Sequence, residues 1–149
     1  MTRHVVAVTP ATLLPEAARI LKQEDIGVLP IVEPDGSLRG ILTDRDITVR
    51  AVAEGSDVRH VTAGEVCTHE PVLTVFPETS LSEAEAVMRR HRVRRLPIVS
   101  DERQLVGMLS LADIIQHADA DSWQGVLLEV SRPGGEHTQR FEGESAALP

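Results

Sequence analysis

Hydrophobic residues follow first a strand-like and then a helix-like spacing at the start of the chain. Val5–Val8 is a short β-rich run. Beyond Pro10 the apolar side chains recur every three or four residues, which predicts an amphipathic helix with one buried face. The positions that define this face are Leu14, Ala17, Ala18 and Leu21.

A hairpin and a second helix are predicted next. The apolar runs Val28–Val32 and Leu38–Thr43 flank Pro34-Asp35-Gly36, which is a strong turn signal. Pro30 has no N–H to offer a β-ladder, so we expect it at a strand edge or a strand start. The second helix begins at Asp44, which completes a β-α-β-β-α unit.

The same order of elements recurs further along the chain. A shift of 67 residues aligns Pro10–Ile47 with Pro77–Ile114 without a gap, and 14 of the 38 aligned pairs are identical. Ser80 and Glu83 predict a capping box at the first helix of this second copy. The other elements predicted there are a strand at Val72–Val75, a helix face of Leu81, Ala84, Val87 and Met88, a hairpin of Leu96–Val99 and Leu105–Ser110 that contains Pro97, and a helix from Leu111.

The repeat divides the chain into three parts. We predict a first unit at residues 1–60, a second at 61–118, and a C-terminal helix and tail at 119–149. Thr62 and Glu65 predict a cap for a short helix that leads to Cys67. Ser122–Ser131 is predicted as one more short helix, packed through Trp123, whereas the sequence from Pro133 onward is typical of a flexible, disordered tail.

Composition and charge exclude several classes of function. The 149 residues include 15 Lys and Arg against 23 Asp and Glu, for a formal net charge of −8, with two Phe, one Trp and no Tyr. Neither duplex binding nor stacking on bases suits such a chain, so we expect no nucleic-acid partner. No apolar run reaches the ~18–20 residues of a membrane span, and no signal segment begins the sequence, which favours a cytoplasmic protein without membrane contact.

One polar motif follows the second hairpin strand in both copies, at Gly40–Asp46 and Gly107–Asp113. Its residue types suit a nucleotide, because a glycine lets a ligand approach the strand and a hydroxyl at a helix start can donate to a phosphate. A carboxylate three residues after the hydroxyl can accept both hydroxyls of a ribose. The hydroxyls are Thr43 and Ser110, and the carboxylates are Asp46 and Asp113.

A purely structural interpretation of this motif remains open. Ser or Thr followed three residues later by Asp at a helix start is also a capping box, whose side chains satisfy the backbone of the helix. The recurrence of the motif in one register favours a ligand. The two interpretations are compatible, since the hydroxyl can cap the helix when the site is empty.

The repeated unit, in which Leu29-Pro30-Ile31-Val32 precedes Gly40–Asp46, resembles the CBS domain, named from cystathionine β-synthase. The resemblance covers about residues 4–118 and is to the stand-alone bacterial type. It implies an α/β (α+β) fold in which two β-α-β-β-α units pack about a pseudo-twofold axis as a Bateman module, and modules that commonly pair. It also implies clefts that bind AMP, ADP, ATP or S-adenosylmethionine and report energy or metabolic state.

The resemblance also assigns roles to residues of this chain. It implies that Asp46 and Asp113 hold ribose, and that Thr43 and Ser110 hold phosphate. Apolar walls would enclose the base around Val8 and Val28 in the first copy and around Val75 and Leu96 in the second, with backbone groups next to Pro30 and Pro97 reading its edge. The basic residues that would face phosphates are Arg94 and Arg95, with Arg45 as a further candidate.

The two copies are not equivalent. Gly27-Val28 stand where Arg94-Arg95 stand in the second copy, and Leu111-Ala112 replace Asp44-Arg45. The second replacement makes the second site less suited to a polyphosphate, and we expect occupancy at Asp46 first. For the other arginines of the same basic cluster a solvated helix end is the alternative to phosphate binding, and they are Arg89, Arg90 and Arg92.

Other chemistry has little support. Cys67 is the only cysteine, which excludes an internal disulfide, and Cys67-x-His69 with His4 and His60 elsewhere is weak support for a metal site. We predict a non-enzymatic sensor without a required cofactor, which binds an adenine nucleotide as a regulatory ligand, forms a homodimer and signals to a protein in trans. The alternatives are a ligand-free dimeric stress-response scaffold and, without a catalytic constellation, a small hydrolase or metalloenzyme.

Overall fold

The computed structural model describes residues 5–69, 71–117, 127–129 and 131. They fall into two compact units, which are treated separately below. The first unit takes its residues from Met1–Glu78 and Pro97–Leu109, and the second from Thr79–Leu96 and Ser110–Pro149. Residues 127–129 and 131 of the predicted C-terminal helix are helical. The expectations for His4, Trp123 and the tail from Pro133 lie outside the described residues.

The first helix has the predicted face, with one exception. α1 spans Leu14–Gln23 and has a proline in its first turn, where the missing N–H costs no helical hydrogen bond. Leu14, Ala17 and Leu21 are buried as expected. Ala18 is exposed, because it lies at the margin of the stripe that the other three define.

The sheet of the first unit has the order β1-β2-β3, with both pairs antiparallel. β1 (Val28–Val32) and β2 (Leu38–Thr43) have the predicted bounds. β3 (Thr68–His69) pairs with the outer side of β2. The strand predicted at Val5–Val8 is reduced to one bridge, in which Val8 pairs in parallel with Ile31.

The second hairpin consists of β4 (Arg95–Val99) and β5 (Leu105–Ser110), which form a two-stranded sheet. β4 begins one residue earlier than predicted, and β5 has the predicted bounds. The strand predicted at Val72–Val75 is again a single bridge, between Val75 and Ile98.

Both hairpin prolines occupy positions where their missing N–H removes no hydrogen bond of the hairpin. Val8 N donates to Pro30 O at 3.0 Å, and Val32 N donates to Val8 O at 2.9 Å. Since the N and C=O groups of a strand residue point to the same side, the ring nitrogen of Pro30 faces away from β2. Val75 N makes the same bond to Pro97 O at 3.0 Å. The expected edge position of both prolines is confirmed.

The first unit departs from the predicted regular helix after β2. α2 (Asp44–Asp46) continues as a π-helix at Ile47–Val52. Within it, Ala53 N donates to Thr48 O, five residues earlier, at 2.9 Å.

A short helix, α3 (Ala63–Val66), docks against the segment that precedes α1. Ala63 N donates to Thr12 O at 2.7 Å and Gly64 N to Pro10 O at 2.9 Å. The predicted cap is present, since Thr62 N donates to Glu65 Oε2 at 2.6 Å. At the other end of α3, Val66 O accepts from Arg50 Nη1 of the π-helix at 2.9 Å.

In the second unit, α4 (Leu81–His91) and α5 (Leu111–His117) contact each other. The predicted capping box starts α4, with Ser80 N donating to Glu83 Oε2 at 2.9 Å. Ala84 and Met88 are buried as expected. The side chain of Leu81 is 43% exposed, so its assignment to the buried face is wrong.

The turns of the two hairpins meet within the first unit. Ser37 forms an antiparallel bridge with Gln104. Leu38 N donates to Arg103 O at 3.1 Å, and Leu105 N donates to Gly36 O at 3.2 Å. Each turn therefore supplies both a donor and an acceptor to the other.

The hydrophobic core of the first unit lies between α1, the sheet and α3. Its buried members are Val8, Leu14, Ala17, Leu21, Leu29, Ile31, Leu42, Ala51, Ala63, Val66 and Cys67. Among the helices in the described ranges, none combines the length and the apolar character needed to cross a membrane.

Candidate functional site

The first candidate site is the junction between β2 and α2, where Thr43 and Asp46 cap the helix. Thr43 N and Thr43 Oγ1 both donate to Asp46 Oδ2, at 2.8 and 2.6 Å. In return, Asp46 N donates to Thr43 Oγ1 at 3.1 Å. The capping interpretation is therefore confirmed for this copy.

The second copy repeats this arrangement at the junction between β5 and α5. Ser110 N and Ser110 Oγ donate to Asp113 Oδ2 at 2.8 and 2.6 Å. Asp113 N donates to Ser110 Oγ at 3.2 Å. The two hydroxyl–carboxylate pairs thus share one geometry as well as one spacing.

The caps restrict what each carboxylate can still accept. A carboxylate oxygen has two lone pairs, and both lone pairs of Asp46 Oδ2 face donors of Thr43. The hydroxyl hydrogen of Thr43 is also engaged, so it could reach a phosphate only by leaving the cap. The oxygen that keeps acceptor capacity toward a ligand is Oδ1 of Asp46.

Arg50 is the charged neighbour of this oxygen, and the sequence analysis did not identify it. Arg50 Nε lies 3.5 Å from Asp46 Oδ1, and Arg50 Nη1 donates to Val66 O at 2.9 Å. The spacing of four residues from Asp46 is the signal that could have suggested the pair. The contact to α3 could not be predicted, because it depends on how α3 docks.

The residue before each proline strand lies beside the start of the following helix. Asp44 N donates to Gly27 O at 3.3 Å in the first unit, and Leu111 N donates to Arg94 O at 2.8 Å in the second. The backbone of Arg94 is thereby held next to the Ser110 cap. The side chains of Arg94, Arg95 and Arg45 are exposed.

The apolar residues expected to enclose a base are buried. The exposed fractions of Val8 and Val28 are 5% and 8%, and Pro30 is fully buried. Val8 belongs to the core cluster, and the carbonyl of Pro30 already accepts the N–H of Val8. In the second copy the corresponding residues are also buried, but Val75 and Pro97 belong to the first unit and Leu96 to the second.

The pairing of β2 with β3 requires glycine at position 40, because a side chain there would collide with the neighbouring segment. A Cβ at this position would lie 2.7 Å from Thr68 O and 3.0 Å from Cys67 Sγ. The space is therefore filled by β3 and its neighbour. The interpretation that this glycine admits a ligand to the strand is wrong on that side.

The remaining arginines of the basic cluster line a groove in the second unit. The groove has a volume of about 790 Å³ and runs between the C-terminal half of α4 and the helical residues 127–129. Its charged lining consists of Arg89, Arg90, His91, Arg92 and Glu129. The location at a helix C-terminus is favourable for cations.

Among the described residues, Cys67 and His69 have no third potential metal ligand close to them. Cys67 Sγ lies 3.5 Å from His69 Nδ1, and burial raises the pKa of the Cys67 thiol, which disfavours the nucleophilic thiolate. His60 contacts Asp57 instead, at 3.1 Å. In the described part of the chain, no three His, Cys, Asp or Glu side chains come close enough to hold a metal ion.

Comparison with known sequences supports the interpretation of the repeat. The family described as the CBS domain matches residues 1–52 and 63–119. The CBS domain-containing protein YhcV of Bacillus subtilis is 42% identical over 114 residues, which cover 76% of this chain and 79% of the relative. Hypoxic response protein 1 of Mycobacterium tuberculosis is 40% identical over 117 residues, covering 78% and 80%.

Solved structures agree with these sequences. The crystal structure of Hypoxic Response Protein I with two coordinated zinc ions has a TM-score of 0.72 at 39% identity, covering 80% of this chain and 95% of that one. CBSX2 in complex with AMP has a TM-score of 0.70 at 25% identity, covering 78% and 90%. The CBS domain pair of protein MJ0100, in complex with 5′-methylthioadenosine and S-adenosyl-L-methionine, has a TM-score of 0.69 at 29% identity, covering 77% and 92%.

Proposed function

Because this chain belongs to the CBS-domain family, with two copies of the domain, we propose that it is a regulatory protein that binds an adenine nucleotide at the Thr43–Asp46 junction. The bound state is passed to a protein partner in trans. No chemical reaction is required for this role, and the nucleotide is a regulatory ligand and not a cofactor.

The ligand class is supported by the structural neighbours. CBSX2 was crystallised with AMP, and the domain pair of MJ0100 with two other adenosine compounds. These ligands share an adenine base and a ribose or substituted ribose, while their charged groups differ. A ribose-binding carboxylate is therefore the feature that a common site most needs.

The observation that carries the proposal is the spare oxygen of Asp46. Oδ2 serves the cap, whereas Oδ1 has its cation at 3.5 Å, beyond the ~2.7–2.9 Å of a charge-assisted hydrogen bond. A ribose hydroxyl can donate to Oδ1 without opening the cap. The capping and ligand interpretations of the motif are thereby compatible at the level of single atoms.

A second site at Ser110 and Asp113 is proposed with a lower affinity. The cap has the same geometry, and Arg94 is held beside it through its backbone. Gly27 stands at the corresponding place in the first copy. We propose that this site binds an adenine nucleotide less tightly than the first, since Leu111 and Ala112 stand where the first copy has Asp44 and Arg45.

Calorimetric titration with AMP, ADP, ATP and S-adenosylmethionine tests the proposal. We expect the wild-type protein to bind at least one of them. Asp46→Ala should weaken that binding at least about tenfold, since a hydrogen bond to a charged group contributes ~1.5–3 kcal/mol. Residual binding in this variant should disappear in the double variant Asp46→Ala/Asp113→Ala.

Glu83→Ala is the matched control. Glu83 accepts from Ser80 in a capping box of the same kind at α4, so this variant loses an equivalent cap at a helix that carries neither proposed junction. It should bind as the wild type does. If no adenosine compound binds the wild type, or if Glu83→Ala weakens binding as much as Asp46→Ala, the sensor proposal is wrong and the ligand-free scaffold is favoured.

A further inference from the structure

A different group lies beside each carboxylate oxygen of Asp46. Thr43 occupies Oδ2 through the cap, and the guanidinium of Arg50 stands at Oδ1. The side chain of Asp46 is 14% exposed and that of Arg50 is 27% exposed. Both side chains are thus partly buried. A partly buried charge pair is screened less by solvent than a pair at an open surface.

Arg50 is itself anchored. Its Nη1 donates to Val66 O at 2.9 Å, and the carbonyls of a last helical turn have no partner within their own helix. The other end of α3 is fixed by the bonds from Ala63 and Gly64 to the segment before α1. The guanidinium is therefore a positive charge of fixed position, and not a mobile surface group.

From these contacts we propose that Arg50 is a positioning residue for ribose recognition in the first copy. It restrains the Asp46 carboxylate so that Oδ1 is presented to a ribose hydroxyl while Oδ2 remains in the cap. The inference rests on the proposed function, and it adds a residue outside the repeated motif to the first site.

The residue at the position of Arg50 differs in the second copy. The repeat places His117 at the position of Arg50, and His117 Nδ1 instead lies 2.8 Å from the backbone oxygen of Asp113. The surroundings of the two carboxylates therefore differ although their caps match.

The test compares ligands that do and do not carry the ribose hydroxyls. Titrations of the wild type, Arg50→Ala and Arg50→Lys are carried out with AMP and with 2′,3′-dideoxy-AMP, in the Asp113→Ala background so that only the first site is followed. Arg50→Ala should weaken AMP binding about two- to fivefold, the range of a partly exposed charge pair, and leave binding of the dideoxy analogue unchanged. Arg50→Lys should restore part of the loss.

Arg59→Ala is the control for loss of an arginine ion pair in the same unit. Arg59 contacts Asp57 at 2.8 Å on the surface, and its removal should change neither titration. Equal weakening of AMP and of the dideoxy analogue in Arg50→Ala would assign Arg50 a merely structural role and overturn the inference. An unchanged affinity for AMP would overturn it as well.

A measurement without ligand separates this inference from the proposed function. Urea unfolding of Arg50→Ala, Asp46→Asn and the double variant gives the coupling between the two side chains, which we expect to be favourable. If the two side chains are coupled but the wild type binds no nucleotide, the sensor proposal is disproved, whereas the restraint of Asp46 by Arg50 is retained. Absence of coupling would disprove the inference even if nucleotides bind.

Discussion

Two residues that are not glycine end the repeated helices in the left-handed region. Asp25 follows α1 with φ +52°, and Arg92 follows α4 with φ +54°. In each case an N–H reaches back five residues, from Ile26 to Leu21 O at 3.1 Å and from Val93 to Met88 O at 3.0 Å. The helices of the two copies therefore end with the same backbone conformation, although the residue at this position is Asp in one copy and Arg in the other.

We predict that Asp25→Gly increases the free energy of unfolding by about 0.5 kcal/mol. Glycine removes the Cβ clash of the left-handed conformation, and part of the gain is offset by the greater freedom of glycine in the unfolded chain. Asp25→Ala should be less stable than the wild type, since alanine lacks the local hydrogen bonding that makes Asp tolerable there. Urea unfolding gives the order, and a less stable Asp25→Gly would contradict it.

At the scale of elements, the strands and helices of the repeat were largely predictable. The alternation of apolar runs and turn residues fixed β1 and β2 at their observed bounds, because pleat and turn chemistry are local properties. The capping boxes at Ser80 and Thr62 were predictable for the same reason.

The features that sequence reasoning missed depend on contacts between distant segments. β3 consists of two residues and exists because β2 offers an edge to Thr68 and His69. The π-helix after α2 and the contact of Arg50 with Val66 arise where α3 packs against that segment. In the candidate site, the cap was therefore predictable from spacing, but the partner of Asp46 Oδ1 was not.

The pairing of β2 with β3 predicts a strong effect of a small substitution. Gly40→Ala should lower the free energy of unfolding by about 1–3 kcal/mol, because the new methyl group would lie 2.7 Å from a backbone oxygen that cannot move without breaking the strand pair. Arg39→Ala is the control, since Arg39 is an exposed neighbour in β2 with a surface ion pair to Glu33 and should change stability by less than ~1 kcal/mol. Equal urea midpoints for both variants would contradict the assignment.

At the scale of the whole molecule, a ligand can signal only if it binds one arrangement of the protein more tightly than another. The ligand can, for example, bind the dimer more tightly or less tightly than the single chain. Large apolar side chains remain exposed on single chains, among them Val52 at 57%, Phe76 at 50% and Leu128 at 69%.

We predict that sedimentation velocity at low micromolar concentration gives twice the mass of one chain. Small units have limited core, so apolar surface left on their helices is covered by association. A nucleotide that acts through this association should change the dimer dissociation constant, and one that does not should leave it unchanged. A single-chain mass at high micromolar concentration would rule out the homodimer.

The bonds between the two hairpin turns have a practical consequence. Exposed hairpin tips are the usual choice for epitope tags, protease sites and circular permutation. Here Gly36 and Gln104 face each other so closely that a Cβ at Gly36 would lie 2.5 Å from Gln104 Oε1. A peptide inserted at either turn would break the hydrogen bonds that join it to the other turn. Inserted peptides should therefore be placed elsewhere in this protein.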